Sequence, residues 1–219
     1  WSVWKNYMYV KNYKAFIYLP LLQFTSDVAV SLGTTFGLVQ KISIKSFVSL
    51  ILNNKGVAVV ILIYILTMIS IISYGIPNPS HPFNYFMDEW HQSQSVRNLF
   101  KYGTPNIAGS ANGSISQFFL TGIYLIPFQI FGVIDLFAIK SSVTNLDLQF
   151  RLFEILRINT IIFGILSIIL FSYISKKYFK LNIFIAAFLF TFNPLWIMLS
   201  GYFKYDIALM FWILVSLLF

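Results

Sequence analysis

The stretch VAVVILIYILTMISIISYGI, residues 57–76, runs without a charged side chain. As a helix rising about 1.5 Å per residue it would reach roughly 30 Å, the thickness of bilayer hydrocarbon. Lys41, Lys45 and Lys55 precede it, which puts its start on the cytoplasmic side by the positive-inside rule. Pro77, Pro79 and Pro82 follow and are expected to stop the helix on the far side. The rest of the chain agrees with lipid as the main solvent. It is 58% hydrophobic and only 10% charged, with a mean hydropathy of +0.77, and so few charges cannot cover a water-exposed surface.

Working outward, further apolar runs appear. Residues 115–134 are uncharged, residues 158–175 end on Lys176, Lys177 and Lys180, and residues 181–203 carry Asn193-Pro194 as an expected kink. Residues 207–219 begin another helix, while residues 135–154 form a second polar stretch. The predicted fold is therefore all-α and integral to the membrane, with about four transmembrane helices, interfacial helices and one long extracytoplasmic loop. Residues 1–14 mix Trp, Tyr and Lys as interfacial segments do, and residues 15–40 are apolar but broken by Pro20 and Asp27. Two regions follow: an interfacial or weakly spanning segment over 1–56 and a membrane domain over 57–219. Starting at Trp1 and stopping within an apolar run, the chain reads as a fragment of a longer protein, inactive by itself.

Topology turns on residues 115–134. If they cross the membrane, the Lys176 cluster falls outside, against the positive-inside rule, and Asp206 faces the cytoplasm. If they lie in the interface or re-enter, which Gln117, Pro127 and Gln129 favour, the cluster is cytoplasmic and Asp206 emerges on the face that carries Asp88. The second arrangement is preferred.

The net charge of +8 sits at the ends of apolar runs, as topology signals and lipid-phosphate contacts do, and no basic-aromatic interleaving on a polar domain points to nucleic acid. The absence of cysteine excludes disulfides, thiolate metal sites and a cysteine nucleophile. The loop over 77–114 reads HPFNYFMDEWH across residues 81–91, and its part from Asp88 to Tyr102 is predicted helical. Adjacent carboxylates near an apolar boundary suit general acid–base work because partial desolvation favours the protonated form. The bland reading is a solvated turn with Asp88 as a helix cap. Arg97 and Lys101 on the same helix could hold a phosphate. His81 and His91 read first as bystanders rather than metal ligands. Asp206 at a span boundary is a stronger candidate, since acids there are rare and often functional. Arg151 and Arg157 read as interface anchors, and Asn112-Gly113-Ser114 is a short glycosylation match.

In order and spacing these residues resemble the C-type glycosyltransferases, polytopic enzymes that use polyprenyl-phosphate sugars, such as protein O-mannosyltransferases and the aminoarabinose transferase of lipid A. The resemblance rests on a first span, then Asp88-Glu89, Arg97 nine residues after the Asp, Gly103 six residues after the Arg, a juxtamembrane helix, a span opening near Arg157, and Tyr205-Asp206-Ile207 after Asn193-Pro194. The Pro-Pro-Leu motif usual in that family is replaced here by Gly113-Ser114-Ile115-Ser116-Gln117. Residues 1–40, through the stretch PLLQFTSDVAVSLGTTFGLVQ over 20–40, resemble more weakly the membrane tail of a family 2 glycosyltransferase. The resemblance implies transfer of a sugar from a polyprenyl-phosphate donor to a protein, lipid or glycan acceptor on the extracytoplasmic face of the cell or inner membrane. It implies Asp88 as general base with Glu89 assisting, and Arg97, Lys101, Asp206 and His91 binding substrate. A divalent metal is compatible with the sequence but not demanded by it. The rival readings are a non-catalytic polytopic membrane module, which expects Asp88 and Asp206 far apart, a transporter segment, which expects ionisable groups inside its spans, and a glycan polymerase or ligase.

Overall fold

The computed structural model describes residues 53–82, 84–102, 115–135 and 146–218. The readings made for residues 1–52, Gly103 and the 112–114 sequon lie outside them. Seven helices occur among the described residues and no strand element: α1 Lys55–Ile71, α2 Met87–Tyr102, α3 Ile115–Ile130, α4 Leu146–Phe179, α5 Ile183–Thr191, α6 Pro194–Ser200 and α7 Tyr205–Ser216.

The central element is α4. It starts well before the apolar run, because LDLQFRLFEILR continues the helical period: Gln149, Leu152, Phe153, Ile155 and Leu156 are buried while Asp147 and Arg151 are exposed. The polar stretch expected over 135–154 is thus, from Leu146 on, the first turns of the same 34-residue helix.

Around α4 the chain passes back and forth between two ends. Gly56 at the start of α1 lies against the Phe184 ring at the start of α5, so Lys55 shares an end of the bundle with Lys176, Lys177 and Lys180. α1 runs away from that end, and Gly201, after α6, packs beside Ile71 at the far end of α1. α7 then returns until the Leu218 carbonyl accepts from Tyr178 Oη at 3.4 Å. Val57, Val60, Tyr64 and Met68 put one stripe of α1 into a core with Ile161, Ile168, Ile183, Ala187, Trp196 and Ile207. The outer faces stay apolar: Leu66, Leu189 and Leu209 are each more than half exposed.

α4 is the one described helix long and apolar enough to cross a membrane by itself. α5 and α6 reach that length only together, with a 63° bend between them. The bend falls where the sequence put it: Pro194 cannot donate to the ladder, and Asn193 Oδ1 caps the new helix by accepting from Leu195 N at 2.9 Å. α1 and α7 are shorter, so about four crossing helices is more than length alone establishes. α3 packs on α2 and on the first part of α4, where Leu125 joins Val96, Leu152, Ile155 and Leu156 in a second core and Tyr124 Oη donates to the Ile155 carbonyl at 3.1 Å.

Gly164 of α4 makes room for Tyr64 of α1, because a Cβ there would overlap the Tyr64 hydroxyl. Gly164→Ala is therefore expected to destabilise the fold by about 1–3 kcal/mol through overpacking, with partial recovery in the Tyr64→Phe background. Thermal unfolding of the four proteins of this cycle in one detergent checks it, and additive effects would disprove the contact.

Candidate functional site

The end of the bundle opposite the lysines is organised by α2. Asp88 and Glu89 are neighbours in its first turn, so helical geometry turns them about 100° apart. Glu89 points inward and is fully buried; Asp88 points outward with a side chain 61% exposed.

Glu89 is saturated. Its Oε1 accepts from Arg157 Nε and from the Phe203 N–H, both at 2.7 Å, and its Oε2 accepts from Arg157 Nη2 at 2.7 Å and Asn84 Nδ2 at 3.0 Å. Those four bonds fill the carboxylate's lone-pair sites and leave none for a substrate. Glu89 therefore ties together the loop before α2, α4 and the segment before α7. Arg157 is not the interface anchor the sequence suggested: it is 1% exposed, and its Nη1 also donates to the Ile72 and Tyr74 carbonyls at 2.7 Å each. Those carbonyls belong to the unwinding end of α1, where helical acceptors lose their partners. The helix consequently ends at Ile71, ahead of Pro77, and the chain turns through Gly75 at φ +69 with the Tyr85 ring laid on it. Ser73 Oγ adds a 2.8 Å bond to Glu154 one turn earlier on α4.

The same scaffold carries the loop before α7. The Phe203 N–H is held by Glu89, the Tyr205 N–H donates to Gln92 Oε1 at 2.9 Å, and Tyr202 stacks on Phe86 at 4.4 Å. Between those two tethered peptides stands Lys204. Its Nζ is 3.0 Å from Asp88 Oδ2 and 3.0 Å from Asp206 Oδ2. The hydrogen bonds to Asp206 and then Asp88 raise the pKa of Lys204 above the ordinary lysine value, so it stays an ammonium at neutral pH. Asp88 and Asp206, far apart in sequence, thus share one cation at one end of the bundle. Asp88 is the second residue of α2 rather than its cap.

The other candidates are placed differently. Arg97 lies about half a turn around α2 from Asp88 and roughly 14 Å along its axis. Its guanidinium sits 5.3 Å from the Trp90 ring, and burial lowers its pKa. The structure does not bring it to the two aspartates. Lys101 falls in the last turn of α2, and His91 is half-buried one turn after Asp88. Among the described residues no three His, Asp or Glu side chains cluster as a metal site. Beside Asp206, a groove of about 300 Å³ opens between α6 and α7, lined mainly by apolar residues such as Trp196, Leu199, Ile207, Met210 and Ile213. Lys204 and Gln92 escaped the sequence reading. A lysine two places before the flagged Asp206 was the available signal for the first; nothing in the sequence marks the second.

No protein-family model, curated protein or solved structure matches the chain.

Removing one partner of a buried ion pair leaves the other charge uncompensated, at a cost of about 3–5 kcal/mol. Glu89→Gln and Arg157→Lys are both expected to approach that loss, since an ammonium cannot reproduce two carboxylate bonds and two carbonyl bonds at once. Asp88→Asn, one position away but in an exposed pair, is expected to cost no more than about 1 kcal/mol. Tryptophan-monitored unfolding in micelles separates the two classes, and equal losses at 88 and 89 would contradict the assignment.

Proposed function

We propose that this chain is part of a membrane glycosyltransferase that moves a sugar from a polyprenyl-phosphate donor to an acceptor on the extracytoplasmic face. The observation that carries the reading is the pairing of Asp88 and Asp206 on one ammonium, at the end of the bundle away from Lys55, Lys176, Lys177 and Lys180. A non-catalytic module gives no reason for two sequence-distant acids to converge there.

The bundle suits a membrane. From Arg157 to Lys176 α4 covers about 30 Å, the depth of bilayer hydrocarbon, and the outward faces of α1, α5 and α7 are apolar. The positive-inside rule makes the lysine end cytoplasmic and the Asp88 end external. α3 then lies at the external face, because its contacts with α4 fall on the stretch before Arg157. α1, α4, the bent α5–α6 pair and α7 supply the crossings.

In the reaction, Asp88 takes the proton from an acceptor hydroxyl or amine as that atom attacks the anomeric carbon. The carbon–oxygen bond to the lipid phosphate breaks, and the phosphate leaves with the electron pair. An ammonium has three N–H donors, of which two serve Asp88 and Asp206, leaving one for an oxygen of the departing phosphate, where negative charge grows. Lys204 thereby takes the role that the resemblance gave to Arg97 and Lys101. The groove beside Asp206 offers the lipid chain an apolar wall next to the acids. Glu89 and Arg157 hold the frame.

Two outcomes check the reading. In the full-length protein in lipid, Asp88→Asn is expected to lower transfer from a polyprenyl-phosphate sugar by about 10²–10⁴ while leaving the fold intact; retained turnover would remove Asp88 from the chemistry. Because this chain contains no cysteine, single cysteines report topology directly. Met87→Cys, at an exposed position, is expected to react with an impermeant maleimide from outside intact cells, and Lys180→Cys only after permeabilisation.

A further inference from the structure

We propose that Lys204 is the built-in cation of this site, occupying the place between Asp88 and Asp206 that a divalent metal would otherwise take. The inference rests on the reading of these acids as the reacting centre, and extends it to the site's metal requirement.

A metal shared by two carboxylates sits between their oxygens at about 2.0–2.6 Å from each. Here that space holds Lys204 Nζ, 3.0 Å from one oxygen of each aspartate. The ammonium has no lone pair to offer a metal, and a second cation brought between the same oxygens would be repelled by it. Exposed lysine–carboxylate contacts often carry little weight because both side chains wander. Lys204 differs in its backbone, which is extended at φ −144, ψ 145, and in the N–H groups on either side of it. Those groups are tied to Glu89 and Gln92, residues of the same helix that bears Asp88. Glu89 is in turn fixed by the buried Arg157. The peptide carrying Lys204 is thus referenced to the helix carrying Asp88 by two hydrogen bonds, and Asp206 follows two residues later. The scaffold presents a cation to the acids by construction. Among the described residues no third carboxylate or imidazole joins the two aspartates, so with Lys204 removed a cation there would rest on these two acids and on water.

The test is Mn²⁺ binding followed by electron paramagnetic resonance on the full-length protein in nanodiscs, comparing wild type, Lys204→Ala, Lys204→Ala with Asp88→Asn, and Lys204→Arg. Wild type and Lys204→Arg are expected to show no Mn²⁺ binding that depends on Asp88. Lys204→Ala is expected to gain it, with affinity at least on the order of tenfold above the Asp88→Asn double variant. Wild-type Mn²⁺ binding that disappears on Asp88→Asn or Asp206→Asn would overturn the proposal, because the lysine would then be yielding its place to a metal. A Lys204→Ala protein that keeps the wild-type melting profile but gains no site would overturn it equally, since the acids would then not form a cation site. If Lys204→Ala melts early, Lys204→Met, which keeps the apolar stem, replaces it and is read the same way. These measurements do not depend on glycosyl transfer. Failure of the glycosyltransferase reading would show instead as donor turnover indifferent to Asp88.

Discussion

The bidentate pair between Arg157 and Glu89 is the contact on which the end of this bundle away from Lys176 and Lys177 depends. Two opposite charges, both essentially sealed from solvent, lose their hydration, and their attraction offsets that loss only when every donor and acceptor is used. Here four of the five guanidinium N–H groups and all four carboxylate positions are engaged. The partners come from the end of α1, the loop before α2, α2 itself, α4 and the segment before α7. One ion pair therefore decides where α1 stops, how α2 is seated and where the Phe203–Tyr205 segment lies.

That arrangement explains a division of labour between adjacent acids. Consecutive helical residues face different directions. Once Glu89 is committed to the interior, Asp88 must project from the surface, towards Lys204 and Asp206. The inward acid secures geometry and the outward one stays open to solvent. A loose surface loop could not keep Asp88 and Asp206 in register, because side-chain entropy opposes exposed pairs. A buried pair one residue away can. The exposed acids at this end thus draw their placement from a buried pair set beneath them.

Much of the helical layout was legible in the sequence because it follows local rules. Uncharged runs, the lysine cluster after residue 175, the Asn193-Pro194 break and the helix from Asp88 to Tyr102 all depend on residues near one another in the chain. The errors came where distant groups intervened. α1 was read through to residue 76, yet it ends at Ile71, since Arg157 supplies donors to carbonyls that a longer helix would have bonded internally. The start of α4 was read as a polar stretch because its charged residues mask an apolar face that α2, α3 and the Phe203–Tyr205 segment cover. Arg157 looked like an anchor because a lone arginine near the end of an apolar run gives no sign of a buried partner nearly seventy residues earlier.

By itself, then, the sequence determined an apolar, helical chain: too few charges to cover a water-exposed surface, and long uncharged runs with basic residues at their ends. It also marked Asp88, Glu89 and Asp206 as the acids worth attention. What only the tertiary structure decided is how those acids divide and meet. Glu89 turned inward to Arg157, Asp88 turned outward, and Lys204 arrived between Asp88 and Asp206. The physical reason is that burial and charge pairing depend on which surfaces come together. A carboxylate's role is set by whether an arginine encloses it or an ammonium on a tethered peptide leaves it open, and neither partner is near it in the chain.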